Sequence, residues 1–461
     1  MRKFKALSRR EFVKQSSLAG LTAAIAAGVP QTIMASGITM AQKPAILGGK
    51  PAWDSVKWPK WPVWNPETDE KQLLEVIRSG VWSRAGVVTQ FEKEWAAAVG
   101  AKRCLSVVNG TNALVVALNQ LNVRGGDEVI VPPYTFISTV SSILSNGAMP
   151  VFVDVDPATF QMDPSKIEAK ITPRTKAIMV VHILGLPSDM DAIMAIAKKH
   201  KLLVVEDACQ AHLAEVNKQK VGTIGDAGCF SFQNSKNLPI GEGGAIVSDN
   251  DQFMDRCFSY SNLGTPYGTA AGVVGAGSIM QNTKVRFTEY QAAIGIAQLK
   301  RLDAETTTRN VNAEFLKSQI KDIPGILPYK MYKNVTRGAF HLFAFRYEKS
   351  AFKDLPRAGF LKAMRAEGVP CSSGYIPLNT QPFLKDTFES INYRKMYPKE
   401  MLDINIYNEK NKCPLNDKLC AEEAVWFTQN MLLGTKDDMA SIAGAIEKVH
   451  KNAEKIKKLD Y

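Results

Sequence analysis

From about Ser79 to residue 300 the chain repeats one alternation, a short apolar run followed by an amphipathic helical stretch. The runs are Glu128-Val-Ile-Val-Pro132, Pro150-Val-Phe-Val-Asp154, Ala177-Ile-Met-Val-Val181, Leu202-Leu-Val-Val-Glu206 and Gly244-Ala-Ile-Val-Ser248. Between them, Asp189 to His200 sets Met190, Ile193, Met194 and Ala197 on one helical face. Strands that are apolar on both faces need cover on both, and the intervening helices supply it. The pattern therefore predicts an α/β fold on a mostly parallel sheet. With 461 residues and 45% of them hydrophobic, the chain is long enough for that domain and a smaller one. Beyond Leu302 the pattern changes to a helix at about Glu305 to Ile323, a strand at His341 to Tyr347, a helix near Phe360 and a last helix from about Lys436. This predicts a large domain over residues 67–302 and a small α+β domain over 303–461, preceded by an extended arm at 42–66.

Residues 1–41 differ from the rest. Arg9 and Arg10 precede an Ala/Gly-rich apolar stretch from about Leu18 to Pro30, and small residues follow at Ala35-Ser36-Gly37 and Thr39-Met40-Ala41. The stretch is too short and too weakly apolar to span a bilayer, and its order resembles a twin-arginine export signal, which predicts a periplasmic location. The formal charge of +12 is scattered except for the run Lys451 to Lys458, with no nucleic-acid motif beside it, so a nucleic-acid partner is not expected. Seven cysteines without a C-x-x-C pair indicate neither zinc nor a redox dithiol, though export would permit a Cys413–Cys420 bridge.

Four segments can carry chemistry. Asn109-Gly110-Thr111-Asn112 opens an apolar helix after a strand-like run, a setting that suits an anion at a helix N-terminus or merely a capped turn. Pro133-Tyr134-Thr135-Phe136 follows a strand, where an aromatic side chain either stacks on a flat ring or joins the core. Glu206-Asp207 ends an apolar strand. A buried carboxylate there needs a positive partner, such as a protonated ring nitrogen, unless it caps the next helix. Lys236 lies in Phe230-Ser231-Phe232-Gln233-Asn234-Ser235-Lys236-Asn237, ahead of Gly241-Glu242-Gly243-Gly244. It is a candidate to form an imine with a carbonyl, or an ordinary loop lysine.

In order, these segments together with Cys209-Gln210-Ala211-His212 and Glu289-Tyr-Gln-Ala-Ala293 resemble the DegT/DnrJ/EryC1/StrS family of sugar aminotransferases, and the likeness runs from Gly48 to the C-terminus. The resemblance implies fold type I of the pyridoxal-phosphate (PLP) enzymes, with a seven-stranded sheet. It implies a Schiff base between Lys236 and the cofactor, and an Asp207 contact to the pyridine nitrogen. Phe136 would stack on the ring, Gln210 would approach its phenolic oxygen, and Gly110, Thr111, Asn112 and Ser231 would hold the phosphate. A residue of the second subunit of a homodimer would reach that phosphate from the segment reading Lys284-Val-Arg286, where the family's asparagine is absent. Trp82, His341 and Tyr375 are candidate substrate contacts, and Asn379 stands where the family usually has histidine near the substrate entrance. The implied reaction moves an amino group from glutamate or glutamine to a keto-sugar or keto-cyclitol. Dehydration or epimerisation of a sugar, and a non-catalytic binding role, are the alternatives. Lys236 argues against the family's dehydratases, which carry histidine there.

Overall fold

The computed structural model describes residues 43–52, 58–269 and 277–459. The leader expected over residues 1–41 lies outside them. The strand Leu203–Asp207 occupies the middle of a seven-stranded sheet. On one side of it come Ala227–Ser231, Gly244–Ser248 and Arg103–Val107; on the other come Thr175–Val181, Glu128–Val131 and the edge strand Met149–Phe152. All strands run parallel except Gly244–Ser248, which is antiparallel to both of its neighbours. The predicted α/β architecture is present, with strand limits within a residue or two of those read from the sequence.

Helices cover both faces because the strands are apolar on both. Val107, Val129, Val131, Met179, Val205 and Ile246 face one core, and Ile130, Ile178, Val180, Val204 and Val247 face the other. Each fully buried large aliphatic side chain contributes on the order of 1.5–3 kcal/mol of transfer free energy. The helix Glu289–Ile320 begins well before the expected Glu305 and runs unbroken across position 302. Its first half buries Ala292, Ile296 and Leu302 with the sheet; its second half buries Ala313, Leu316 and Ile320 with an antiparallel sheet of Ile326–Pro328, Leu342–Tyr347 and Ala424–Thr428.

One stretch of the C-terminal region belongs to the first sheet. Phe388, Tyr393, Tyr397 and Tyr407 pack with the core beside Glu128–Val131 and Met149–Phe152. The tyrosine hydroxyls donate to the carbonyls of Ala148 (Tyr393, 2.8 Å), Asp127 and Gly147 (Tyr397, both 2.9 Å) and Pro150 (Tyr407, 2.7 Å). Asn411 Oδ1 accepts the Phe152 N–H at 2.7 Å, so the edge strand is covered rather than left as a template for another strand.

The arm is anchored as well. The carboxylate of fully buried Glu367 accepts the N–H groups of Ala45 (2.8 Å) and Ala52 (2.6 Å) and pairs with Lys448 at 2.8 Å. All seven cysteines are free; Cys413 and Cys420 lie in different apolar clusters, so the bridge that export would permit does not form. Among the described residues no helix is long and apolar enough to cross a membrane.

Alternation along Leu203–Asp207 sends the two terminal acids to opposite faces. Glu206 is fully buried and accepts N–H groups from Gly222, Ile224 and Gly225, each at 2.7 Å, and faces His182 Nε2 at 2.9 Å. Glu206→Ala, which strands those donors, is expected to lower stability by about 3 kcal/mol or more, read from the urea midpoint. Exposed Glu75→Ala should change it by less than about 0.5 kcal/mol.

Candidate active site

The parallel strands deliver their following residues to one rim, the place where open α/β sheets bind ligands. A cavity of about 580 Å³ opens there, lined by Gly110, Thr111, Phe136, Asp207, Gln210, Ser231, Lys236, His341 and Tyr375 among others. Residues hundreds of positions apart in the chain thus share one wall.

At one end lies the N-terminus of the helix Gly110–Gln120. Asn109 caps it, its Oδ1 accepting the Asn112 N–H at 2.8 Å and its carbonyl the Ala113 N–H at 3.1 Å. The N–H groups of Gly110 and Thr111 have no intrahelical partner and lie at the cavity, the arrangement that favours an anion. The hydroxyls of Thr111, Ser138, Ser231 and Ser235 join them, with Thr111 donating to Ser138 at 2.8 Å. A Cβ on Gly110 would fall 2.8 Å from Ser231 Cβ and 2.9 Å from Cys209 Sγ, so only glycine lets the helix start this close to the strand end. Asn112, expected among the anion contacts, is not part of the lining; both of its amide donors turn back to Asn109 Oδ1.

Asp207 is nearly buried at the centre of the rim. Its carboxylate accepts the Thr139 hydroxyl at 2.7 Å and the Cys209 N–H at 3.2 Å, and Thr135 contacts Thr139 at 2.8 Å. The Thr139 hydroxyl and the Cys209 N–H hold the carboxylate in one orientation, as pairing with a cationic ring nitrogen requires. Behind it, His212 packs against Trp95, Phe230 and Phe232 and donates Nε2–H to the Ser231 carbonyl at 2.9 Å. Burial, reinforced by the Lys236 charge, pushes its pKa down to about 3, so the ring stays neutral and its role is to pin the strand end.

Lys236 sits on the turn after Ala227–Ser231, its N–H donating to the Gln233 carbonyl at 2.8 Å. Burial of the amine lowers its pKa below the usual lysine value, against the opposing pull of Cys209 and Asp207. A less basic amine is a better nucleophile and proton carrier near neutral pH. Phe136 is 55% exposed beside the cavity, whereas its neighbour Tyr134 is the one fully buried. Of the two readings for this aromatic, the core one is excluded.

The C-terminal half supplies the remaining wall. Tyr375 receives a hydrogen bond from Gln210 Nε2 at 2.6 Å, and its ring meets Trp426 at 4.8 Å between centroids. Ser372 and Trp426 exchange backbone hydrogen bonds of 3.1 Å, and Arg357 holds the same segment through the carbonyls of Ser373 and Ala424, each at 3.1 Å. His341 borders the cavity from the start of the strand Leu342–Tyr347. Asn379 does not face the cavity. It is buried, bonded to the Asn411 carbonyl at 3.4 Å and to Asn416 Nδ2 at 3.3 Å, where it ties the edge-covering segment together.

Trp82, Lys284 and Arg286 lie outside this cavity. Trp82 is 53% exposed and donates to the Ile77 carbonyl at 3.1 Å. Lys284 bridges to Asn262, and Arg286 bridges to Val107 and borders a separate surface cleft with Arg84 and Tyr267. Sequence reading missed Ser138, Thr139, Cys209, Gln233, Ser235, Glu242 and Trp426, all of which line the site. Helical spacing from Phe136 was the available signal for Thr139; for Trp426 it was the likeness of the segment Glu422-Glu423-Ala-Val-Trp426 to family members that use glutamine and scyllo-inosose-like ketones. Glu289, part of a quoted motif, caps the helix Gly86–Val99 through the N–H groups of Ala85, Val87 and Val88 at 2.7–2.9 Å. Gly110→Ala is expected to cost about 1–3 kcal/mol in urea unfolding, because the methyl group enters a filled contact.

The family model for the DegT/DnrJ/EryC1/StrS aminotransferase family matches residues 65–422. The chain is 34% identical over 421 residues to the L-glutamine:2-deoxy-scyllo-inosose aminotransferase of Streptoalloteichus tenebrarius, covering 88% of this chain and 97% of that protein. It is 37% identical over 325 residues to the spore coat polysaccharide biosynthesis protein SpsC of Bacillus subtilis, covering 69% and 83% respectively. Among solved structures, the aminotransferase from Psychrobacter cryohalolentis superposes with a TM-score of 0.74 at 30% identity, over 86% of this chain and 100% of that one. The 3-amino-5-hydroxybenzoic acid synthase gives 0.73 at 29% identity, over 87% and 99%. With its motif residues gathered at the rim of a fold type I sheet, this chain belongs to the DegT/DnrJ/EryC1/StrS aminotransferase family.

Proposed function

We propose that the protein moves an amino group from an amino acid, with L-glutamine the leading donor, to the ketone of a keto-cyclitol or keto-sugar, using PLP held at Lys236. The observation that carries this reading is the convergence of Lys236, oriented Asp207 and the Gly110–Thr111 helix terminus on one cavity. The residues fit the cofactor. The free N–H groups and hydroxyls at the helix terminus would hold its phosphate, Phe136 would cover its ring, and Asp207 would pair with its ring nitrogen. When bound, it supplies a carbonyl that condenses with primary amines and a ring that accepts electrons.

The chain's own groups do the rest. Lys236 Nζ, with its basicity lowered by burial, removes and returns the proton at the substrate carbon that bears nitrogen. Thr139 keeps Asp207 oriented while that charge shifts, and the wall of Tyr375, Trp426 and His341 restricts water. The donor and acceptor follow the names of relatives, several of which are L-glutamine:2-deoxy-scyllo-inosose aminotransferases, including those of Micromonospora echinospora and Streptomyces fradiae. Support for a homodimer comes from the position of Trp82, Lys284 and Arg286. None of the three lines the chain's own cavity, and Arg286 borders a surface cleft with exposed Val81 and Leu263, as a residue meant for a partner's phosphate end would.

Purified with PLP, the protein should be yellow, and L-glutamine should bleach the band. Borohydride should fix the cofactor on the peptide containing Lys236, and Lys236→Ala should lose that adduct together with more than about 1,000-fold of the amino transfer rate. Absence of any cofactor from protein made with ample PLP overturns the reading. The export reading rests on the order of Arg9, Arg10 and the apolar run that follows. Residues 1–41 fused to a folded reporter should direct it to the periplasm, and Arg9→Lys with Arg10→Lys should stop it; unchanged export would refute a twin-arginine route.

A further inference from the structure

Arg357 opens the helix Arg357–Ala366, and a cation is the unfavourable charge for that position, because the free N–H groups of a first turn are themselves partly positive. Burial also works against the guanidinium and lowers its pKa. Among the described residues no carboxylate forms an ion pair with it; Lys349, in the same surface groove, takes Glu422 at 3.4 Å. Five backbone carbonyls hold it instead. Nη2 donates to Cys420 at 2.7 Å and Ala421 at 2.8 Å, and Nη1 donates to Ser373 and Ala424, each at 3.1 Å, and to Leu419 at 3.4 Å. A residue that breaks a local rule of its own helix and is kept by partners from two distant segments answers a tertiary demand.

The carbonyls fall into two groups. Those of Leu419, Cys420 and Ala421 belong to the π-helical turn Leu419–Glu423, whose carbonyl end suits a cation. Ser373 and Ala424 each stand two residues ahead of a side chain that lines the active-site cavity, Tyr375 and Trp426. The chain between Ser373 and Tyr375 has no slack: Gly374 has φ +90°, and a Cβ on it would fall 2.5 Å from Trp426 Nε1 and 2.9 Å from Oη of fully buried Tyr134. A shift of the Ser373 carbonyl therefore carries Tyr375 with it. At its other end Tyr375 accepts from Gln210 Nε2 at 2.6 Å, and Gln210 is set in turn by the Leu184 N–H, which donates to its Oε1 at 2.9 Å. The guanidinium lies behind this wall, bordering a groove of about 670 Å³ on the outer surface with Ser373 and Ala421.

We propose that Arg357 is a positioning residue for amino transfer, tying the π-helical turn to the two backbone segments that carry Tyr375 and Trp426 and so fixing that wall without touching what enters the cavity. The role rests on the amino transfer reading. A guanidinium suits it because its planar fork donates in several fixed directions at once, whereas an ammonium is a point charge on a flexible stem. Lys236 and Asp207 share none of these bonds, so holding the cofactor and placing the wall are separable.

The test compares the PLP-loaded wild type with Arg357→Ala and Arg357→Lys, at equal cofactor content and well below their thermal midpoints. Arg357→Ala should lower kcat/KM of amino transfer about 10- to 100-fold, the scale expected when a distant change displaces a binding wall by about an ångström, while borohydride still fixes the cofactor on Lys236. Amide hydrogen exchange should quicken over residues 371–377 and 424–428 and stay as in wild type over 227–236. The truncated side chain leaves room open to the groove, so millimolar guanidinium should restore part of the rate and of the protection, and sodium chloride at the same ionic strength neither. Arg357→Lys should regain less than guanidinium gives the alanine variant. Unchanged amino transfer in Arg357→Ala, exchange that quickens equally over 227–236, or a lysine variant equal to wild type overturns the proposal. If the alanine variant does not fold, the lysine variant carries the exchange comparison with the same outcomes. A wild type that holds the cofactor yet moves no nitrogen overturns the parent reading instead, and the exchange pattern tells the two failures apart.

Discussion

The carboxylate of Asp207 is the constraint around which the site is arranged. A charge at the end of a central strand has lost most of its water, and it is tolerable only with donors in place and a positive partner to come. Thr139 and Cys209 N–H supply the donors. Thr139 is positioned by the helix Ile137–Ser145, whose N-cap residue is Phe136, so orienting the acid and placing the aromatic are one structural event. Its neighbour Glu206 meets the same difficulty on the opposite face, where three backbone N–H groups surround it. One strand end thus yields a structural acid and a chemical one, separated only by the alternation of side chains.

The second dependence is on what covers the sheet. Residues of the C-terminal region do two different things: the segment around Tyr375 and the strand Ala424–Thr428 close the cavity, while Tyr393, Tyr397, Tyr407 and Asn411 cover the exposed edge of Met149–Phe152. Asn379 joins the two through Asn411 and Asn416. The family's histidine position has here become part of a buried amide network, so its side chain is spent on the scaffold.

Much of the fold was legible because parallel strands buried on both faces leave an unmistakable apolar run, and the helices between them keep their period. Lys236, Asp207, Gly110, Thr111, Phe136, Gln210 and Ser231 were legible as a set through their order in the chain, and all border one cavity. The start of the helix at Glu289 was not, since its first half is apolar on a face turned to the sheet and reads as a continuation of the preceding pattern. Nor was the edge cover: tyrosines spaced along short helices carry no periodic signal, because each answers to a carbonyl distant in sequence.

The sequence by itself determined the sheet, its two covered faces and the identity of the residues able to act on an amine and a carbonyl, since these follow from local periodicity and residue chemistry. Only the tertiary structure decided which backbone groups surround Glu206 on the opposite face, that Asn112 turns inward to its own cap, and which way Asn237 and Gln210 present their amides. Those outcomes depend on hydrogen-bond partners such as Ala339 and Leu184, and a partner's position exists only once the chain has closed on itself.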